Sequence, residues 1–332
     1  MTSRTDTPDA NPDMMKLAAM ECAASCILTH LYRSGANPDL FLLDYWNVNY
    51  VSRIITASQH VRLNKSLPFL YGIHLVYKGT GPEGLKQSVQ SGNRAVVKCR
   101  PSDLDFFPPH MLIMAESGFD HYILADSFDE ARNAFRVFDP IVGFNGFLTG
   151  EELMRASAEP EEEVIIFYEL QPDQEGKGKV FESPDKRDIF AYAAKRNYDM
   201  YVRSQYSSGT AALDSFARDL QESLALSPEQ TSNWLNQNSI AIASLTKLRS
   251  SIWNSFAQLG VMDKGQALEG TNRISGIVKL WTTLNFLLVK YRKHIGDEAL
   301  LRSALARLRE VRDAELQFLA WMNGIGGDLT AV

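Results

Sequence analysis

The chain has 332 residues, 45% apolar and 22% charged, with a net charge of −6. That composition fits one large or two ordinary folded domains and excludes chain-wide disorder. The acidic balance disfavours a phosphate-binding surface driven by bulk charge. Three cysteines are too few for a disulfide framework, and no apolar run approaches the ~20 residues of a membrane helix. The expectation is a soluble, cytoplasmic protein that binds neither nucleic acid nor membrane.

In chain order, residues 1–13 are polar and carry Asp6, Asp9 and Asp13. They read as a disordered or extended tail, the opposite of a signal peptide's basic start and apolar core. Cys22 is followed by small residues, Ala23, Ala24 and Ser25, and then by Cys26, Ile27, His30 and Leu31 at helical spacing. Ser34-Gly35 ends this first helix. An alternative places Asp13 as the cap of one long helix from Met14 to Tyr32, with Cys22 in its middle. Phe69–Tyr77, Ala95–Cys99, Met111–Ala115, His121–Ser127, Ala134–Asp139 and Val164–Leu170 are rich in β-branched and aromatic residues and read as strands. Gly118, Asp129 and Pro140 punctuate them.

Residues 171–185, with two prolines and two glycines, read as a linker. Helices are expected beyond it, at Asp188–Gln205, Ala211–Leu224, Pro228–Leu259, Ser275–His294 and Asp297–Met322. Ser227-Pro228 is a helix-start signal. The charge changes sign at the same place: residues 1–184 are net acidic and residues 185–332 net basic. The fold class is therefore α+β, with a mixed domain over 14–170, a linker over 171–185 and an all-α helical domain over 186–332.

Several widespread motifs are missing. There is no phosphate-binding GxxxxGK[ST] loop, no GxSxG nucleophile elbow, no HExxH and no CxxC. A metal site and a cofactor bound by the protein itself are not expected. Gly79-Thr80-Gly81 with Gly84 contains Pro82 and reads as a turn. What remains is Cys22, His121 and Asp139. A cysteine at a helix start feels the positive end of the helix dipole, which favours the reactive thiolate. Pairing of 121–127 with 134–139 as a hairpin makes His121 and Asp139 neighbours. The carboxylate then fixes the imidazole tautomer, and the other ring nitrogen is left for the thiol proton. Taken singly, each residue also has a bland role: a small buried side chain, a strand-end histidine, and the start of an Asp-Pro turn.

Cysteine at a helix start, His121-Tyr122-Ile123-Leu124 at the head of a strand, then Asp139-Pro140 with Gly143 one strand later: this order resembles papain-like cysteine enzymes of the bacteriocin-processing peptidase type. A nearer resemblance is to the butirosin biosynthesis protein H family. It is carried by Ala95–Cys99, Asp103-Leu104-Asp105-Phe106-Phe107-Pro108, the His121 and Asp139 strands, and Thr149-Gly150-Glu151-Glu152-Leu153-Met154-Arg155-Ala156. The match spans roughly residues 15–170. Gly209 to Leu213 and Phe216 to Leu220 resemble the helical companion domain of that family.

The resemblance implies a papain-like domain, an N-terminal helix packed on an antiparallel sheet. It implies acyl transfer from the phosphopantetheine thioester of a carrier protein to the enzyme cysteine, and then to an amine acceptor in specialised-metabolite biosynthesis. By position, Cys22 is the nucleophile, His121 the general base and acid, and Asp139 the orienting group. Two departures stand out: Glu21 precedes the cysteine where the family often has histidine, and the oxyanion glutamine is missing, with Lys16 and Leu17 in that stretch. An acidic carrier protein would meet the basic helix with Arg302, Arg307, Arg309 and Arg312. The alternatives are a cysteine hydrolase (peptidase, amidase or thioesterase) with the same three residues, and an inactive scaffold relative.

Overall fold

The computed structural model of the chain describes residues 13–17, 21–57, 60–112, 121–157, 162–172, 184–203, 208–225 and 227–330. The architecture is mixed α+β, with antiparallel sheets followed by a helical C-terminal region. The chain divides into two compact units. One holds residues 1–38 and 60–182, the other 39–59 and 183–332.

The first unit is built on a six-stranded sheet ordered β3-β8-β4-β5-β6-β7, with every pair antiparallel. Its strands are β3 (Ile73–Thr80), β4 (Arg94–Cys99), β5 (His121–Asp129), β6 (Ala134–Asp139), β7 (Phe144–Thr149) and β8 (Ile165–Pro172). Alternate residues supply one core: Ala95, Val97 and Cys99 from β4, Ile123 and Ala125 from β5, Phe135 and Val137 from β6, Ile165 and Phe167 from β8. That two-residue period is the pleat. Leu85 and Val89 of α4 (Pro82–Gln90) and Leu153 of α5 (Gly150–Arg155) join the same core. Helix α1 (Cys22–Arg33) packs along β5 and buries Ala23, Ala24, Cys26, Ile27, Leu28 and Leu31. With helices near both faces, β5 is buried throughout His121–Asp126, so its middle, Tyr122–Ala125, reads in sequence as an apolar run rather than an alternating one.

The second unit contains α2 (Asp39–Leu42), the hairpin β1 (Asn49–Val51) and β2 (Ile54–Thr56), and five helices. These are α6 (Lys186–Val202), α7 (Thr210–Glu222), α8 (Pro228–Gln258), α9 (Lys264–Lys293) and α10 (Glu298–Thr330). Ser227 caps α8 in a reciprocal box with Gln230, with Pro228 in the first turn, as the Ser-Pro signal predicts. Trp234, Leu235, Ile242, Leu245, Ile252 and Phe256 line its buried face. Trp46 stacks on Phe318, and Arg196 Nε donates to both carboxylate oxygens of Asp44 at 2.7 Å.

The structure departs from the sequence expectations at several places. Phe69–Tyr77 is not one strand: α3 (His60–Tyr71) runs through Tyr71 before β3 begins at Ile73. Met111 closes a 3₁₀ turn, Pro109–Met111, and residues 113–120, including Gly118, lie outside the described residues, as does the tail 1–12. Strand β8 continues through Gln171 and Pro172, into the expected linker; residues 173–183 lie outside the described residues. The helix expected from Ser275 starts eleven residues earlier, at Lys264, capped by Asp263 and Gln266. Gly265, Gly270 and Gly276 dilute its pattern, yet Gly270 lies flush against the Trp253 ring, where a Cβ would collide. Among the described residues no helix is long and apolar enough to cross a membrane.

Candidate active site

Cys22 is the first residue of α1, and this start is built by the segment before it. Residues 14–17 are not helical. Leu17 N–H donates to Ser25 Oγ at 3.1 Å, and Met15 N–H to Thr29 Oγ1 at 3.1 Å. Ser25 and Thr29 lie one turn apart on one face, so residues 15–17 run back along the helix rather than into it. The single helix from Met14 to Tyr32 is thereby excluded. Asp13 forms an ion pair with Arg33 instead of capping a helix. Buried Ala23, Ala24 and Ser25 leave room for this close approach. Glu21 is the N-cap residue; its carbonyl accepts from Ser25 N–H at 2.8 Å, its side chain makes no cap, and the residue is buried beside Cys22.

His121 opens β5, opposite Cys99 of β4. Its ring packs edge-to-face with Phe107, with centroids 4.9 Å apart and planes at 71°. Asp139 closes β6 and is fully buried. The Asp-Pro turn explains its fixed carboxylate. Oδ1 accepts from Ile141 N–H at 2.9 Å and Val142 N–H at 3.4 Å, while Pro140 has no N–H to compete. Gly143 closes the turn by donating to the Asp139 carbonyl at 2.9 Å, with φ +78°. Oδ2 is left for the imidazole: His121 Nε2 donates to it at 2.6 Å. The other ring nitrogen, Nδ1, is left for the side-chain hydrogen bond with Cys22. The fold thus brings all three sequence-selected residues together.

The electrostatics follow from that placement. Burial alone pulls the His121 pKa down. The hydrogen bonds to Asp139 and Cys22, and their charges, outweigh it and raise the pKa from 6.5 to about 10. The protonated imidazole is therefore held between a carboxylate and a cysteine side chain, an arrangement suited to nucleophilic cysteine chemistry. The backbone N–H groups of the first turn of α1 lie at the same end and carry the positive end of the helix dipole.

The other cysteines occupy different surroundings. Cys26 is fully buried, 3.5 Å from the Tyr122 carbonyl oxygen, and its thiol pKa is raised by burial and by the charges of Asp139, Cys22 and Cys99. Cys99 is buried with its sulfur 3.7 Å from the His121 carbonyl oxygen. All three cysteines are thiols. His30 is lowered to about 4 by burial and by the Arg94 charge. His74 lies on β3, and His294 ends α9. Gly81 caps α4, so the glycine-rich stretch is a strand-to-helix turn. Among the described residues no group of three His, Cys, Asp or Glu side chains could hold a metal ion.

Two neighbours of the site escaped the sequence reading. Phe107 is the ring against His121, though an aromatic pair before two prolines carries no mark of that role. Lys16 Nζ donates to the Ile141 carbonyl at 2.7 Å, across 125 residues of chain. Its only sequence signal is proximity to Cys22.

No protein-family model matches the chain, and no curated protein matches it.

Proposed function

We propose that the chain is a papain-like cysteine acyltransferase, akin to the butirosin biosynthesis protein H family, with Cys22 as nucleophile, His121 as proton carrier and Asp139 as its anchor. The observation that carries the reading is a single imidazole hydrogen-bonded at once to the Cys22 thiol and, at 2.6 Å, to the buried carboxylate of Asp139. The Cys22 thiolate attacks the carbonyl carbon of a phosphopantetheine thioester. As the tetrahedral intermediate collapses, the C–S bond to pantetheine breaks and His121 gives its proton to the departing sulfur. An amine then attacks acyl-Cys22; His121 takes the amine proton, the amide C–N bond forms, and Cys22 leaves as thiolate. First-turn N–H groups of α1 would receive the oxyanion, with no glutamine required.

The partner follows from the same reading. In the helical unit a groove of about 260 Å3 between α7 and α10 is lined by Arg218, Arg309 and Arg312, with Gln221 and Asp214. Arg312 is engaged by Asp214 and Asp313, while Arg218 and Arg309 are exposed. Such a groove suits an acidic carrier protein. Arg302 and Arg307 of the same helix pair with Glu298 and Glu310.

The deciding experiment is intact-mass analysis after incubation with an acyl-loaded carrier. A stable acyl adduct, absent in Cys22→Ala and discharged by an amine as an amide, is expected. Discharge to free acid at the same rate with or without amine identifies a hydrolase. No adduct, with Cys22 labelled no faster than a buried thiol, identifies an inactive relative.

A further inference from the structure

We propose that Lys16 is a positioning residue that ties the helix bearing Cys22 to the turn bearing Asp139. The inference rests on reading Cys22, His121 and Asp139 as one site. Residues 15 and 17 are held to α1 by Thr29 Oγ1 and Ser25 Oγ. Lys16, between them, sends its ammonium to the Ile141 carbonyl at 2.7 Å. One three-residue segment therefore grips both ends of the site.

The point of attachment is specific. The carbonyl that accepts from Lys16 and the N–H of Val142 belong to the same peptide group. That N–H donates to Asp139 Oδ1 at 3.4 Å, beside the Ile141 N–H at 2.9 Å. A cation at the oxygen end of a peptide polarises its N–H and strengthens the bond made there. Lys16 thus supports the carboxylate through the turn and leaves Oδ2 for His121. Fixing a long lysine chain costs rotamer freedom, and Lys16 is exposed, so core packing does not account for its placement. Among the described residues, the charged or titratable groups that bear on His121 are Asp139 from β6 and Cys22 from α1, with Cys99 of β4 opposite it in register.

The test needs no acyl substrate. Alkylation of Cys22 by iodoacetamide is followed against pH, with Cys22→Ala as background for Cys26 and Cys99, and the His121 ring is titrated by NMR. Lys16→Met and Lys16→Gln are expected to slow alkylation at neutral pH about threefold or more, and to move the ring midpoint down from about 10. Lys16→Arg, which keeps the cation, is expected to restore both. Unchanged rates and midpoint in Lys16→Met and Lys16→Gln overturn the proposal. So does an upward midpoint, which marks a through-space charge effect, or failure of Lys16→Arg to restore. Wild-type labelling no faster than Cys22→Ala overturns the site itself and this inference with it.

Discussion

At the scale of single residues, two histidines are pushed in opposite directions by their surroundings. His121 gains protons on folding: its pKa rises from 6.5 to about 10. Its contribution to stability is complete below pH 6.5 and is lost as pH rises towards 10. His30 resists protonation: its pKa falls from 6.5 to about 4. It costs stability as pH falls from 6.5 to 4, where the unfolded chain binds the extra proton. Taken by themselves, these two histidines favour the folded state most near pH 6.5. Urea unfolding across pH 4–10 should show it, His30→Asn should flatten the acid side, and an unchanged acid slope in that variant would discard this assignment. The same chemistry governs reactivity. Asp139→Asn removes the anion that holds the imidazolium, so the His121 ring midpoint should drop by ~1–3 units and neutral-pH alkylation of Cys22 should slow. An NMR midpoint still near 10 in Asp139→Asn would show that Asp139 is not the cause.

Among elements, the start of α1 and the end of β6 carry the site. The apolar spacing from Cys26 onward announces a helix, but not where it begins. Ala18, Ala19 and the available cap at Asp13 make a longer helix locally acceptable. Its start at Cys22 depends on Ser25 and Thr29 receiving the N–H groups of Leu17 and Met15. The Asp139 turn was more readable, because Asp-Pro followed by glycine specifies the chain locally. Gly143 tests this. Its φ of +78° disfavours any side chain, while a Cβ there meets nothing within 4 Å. Gly143→Ala should therefore cost ~1 kcal/mol of conformational strain with no clash. Urea denaturation would measure it, and an unaltered midpoint would mean the turn relaxes freely. The hairpin β1–β2 went unread for the converse reason. Its turn residues, Ser52 and Arg53, take positive φ without being glycine or asparagine. They are held by Trp234 and Asn238 donating to the Arg53 carbonyl and by Asp219 accepting from the Arg53 side chain. Those partners come from helices 166 to 185 residues downstream.

At the scale of the whole molecule, the helical unit is not one continuous stretch of chain. Residues 39–59 belong to it, contributing Trp46 against Phe318, Asp44 to Arg196, and the Leu43 carbonyl to Asn197. A fragment of residues 183–332 leaves these groups without partners and should lack a cooperative thermal transition. Calorimetry of that fragment, with the full chain as reference, measures this; a sharp, reversible transition would show that residues 39–59 are dispensable. The groove of Arg218, Arg309 and Arg312 gives a second expectation. On the proposed acyl-transfer reading, replacing Arg218 and Arg309 by glutamate should raise KM for an acidic carrier about tenfold, and salt should weaken the wild-type interaction in the same direction. A KM unmoved by charge reversal would remove the groove from carrier binding.

The sequence by itself determined strands β4, β5, β6 and β8, the helical character of the chain beyond residue 185, and the choice of Cys22, His121 and Asp139 as candidates. Periodicity, caps and Asp-Pro chemistry are local and survive being read one residue at a time. Tertiary structure alone decided where α1 begins, that residues 39–59 leave one unit for the other, and that one imidazole bonds both Cys22 and Asp139. Each of these depends on partners far apart in the chain, whose hydrogen bonds and buried contacts exist only once each unit has folded on itself.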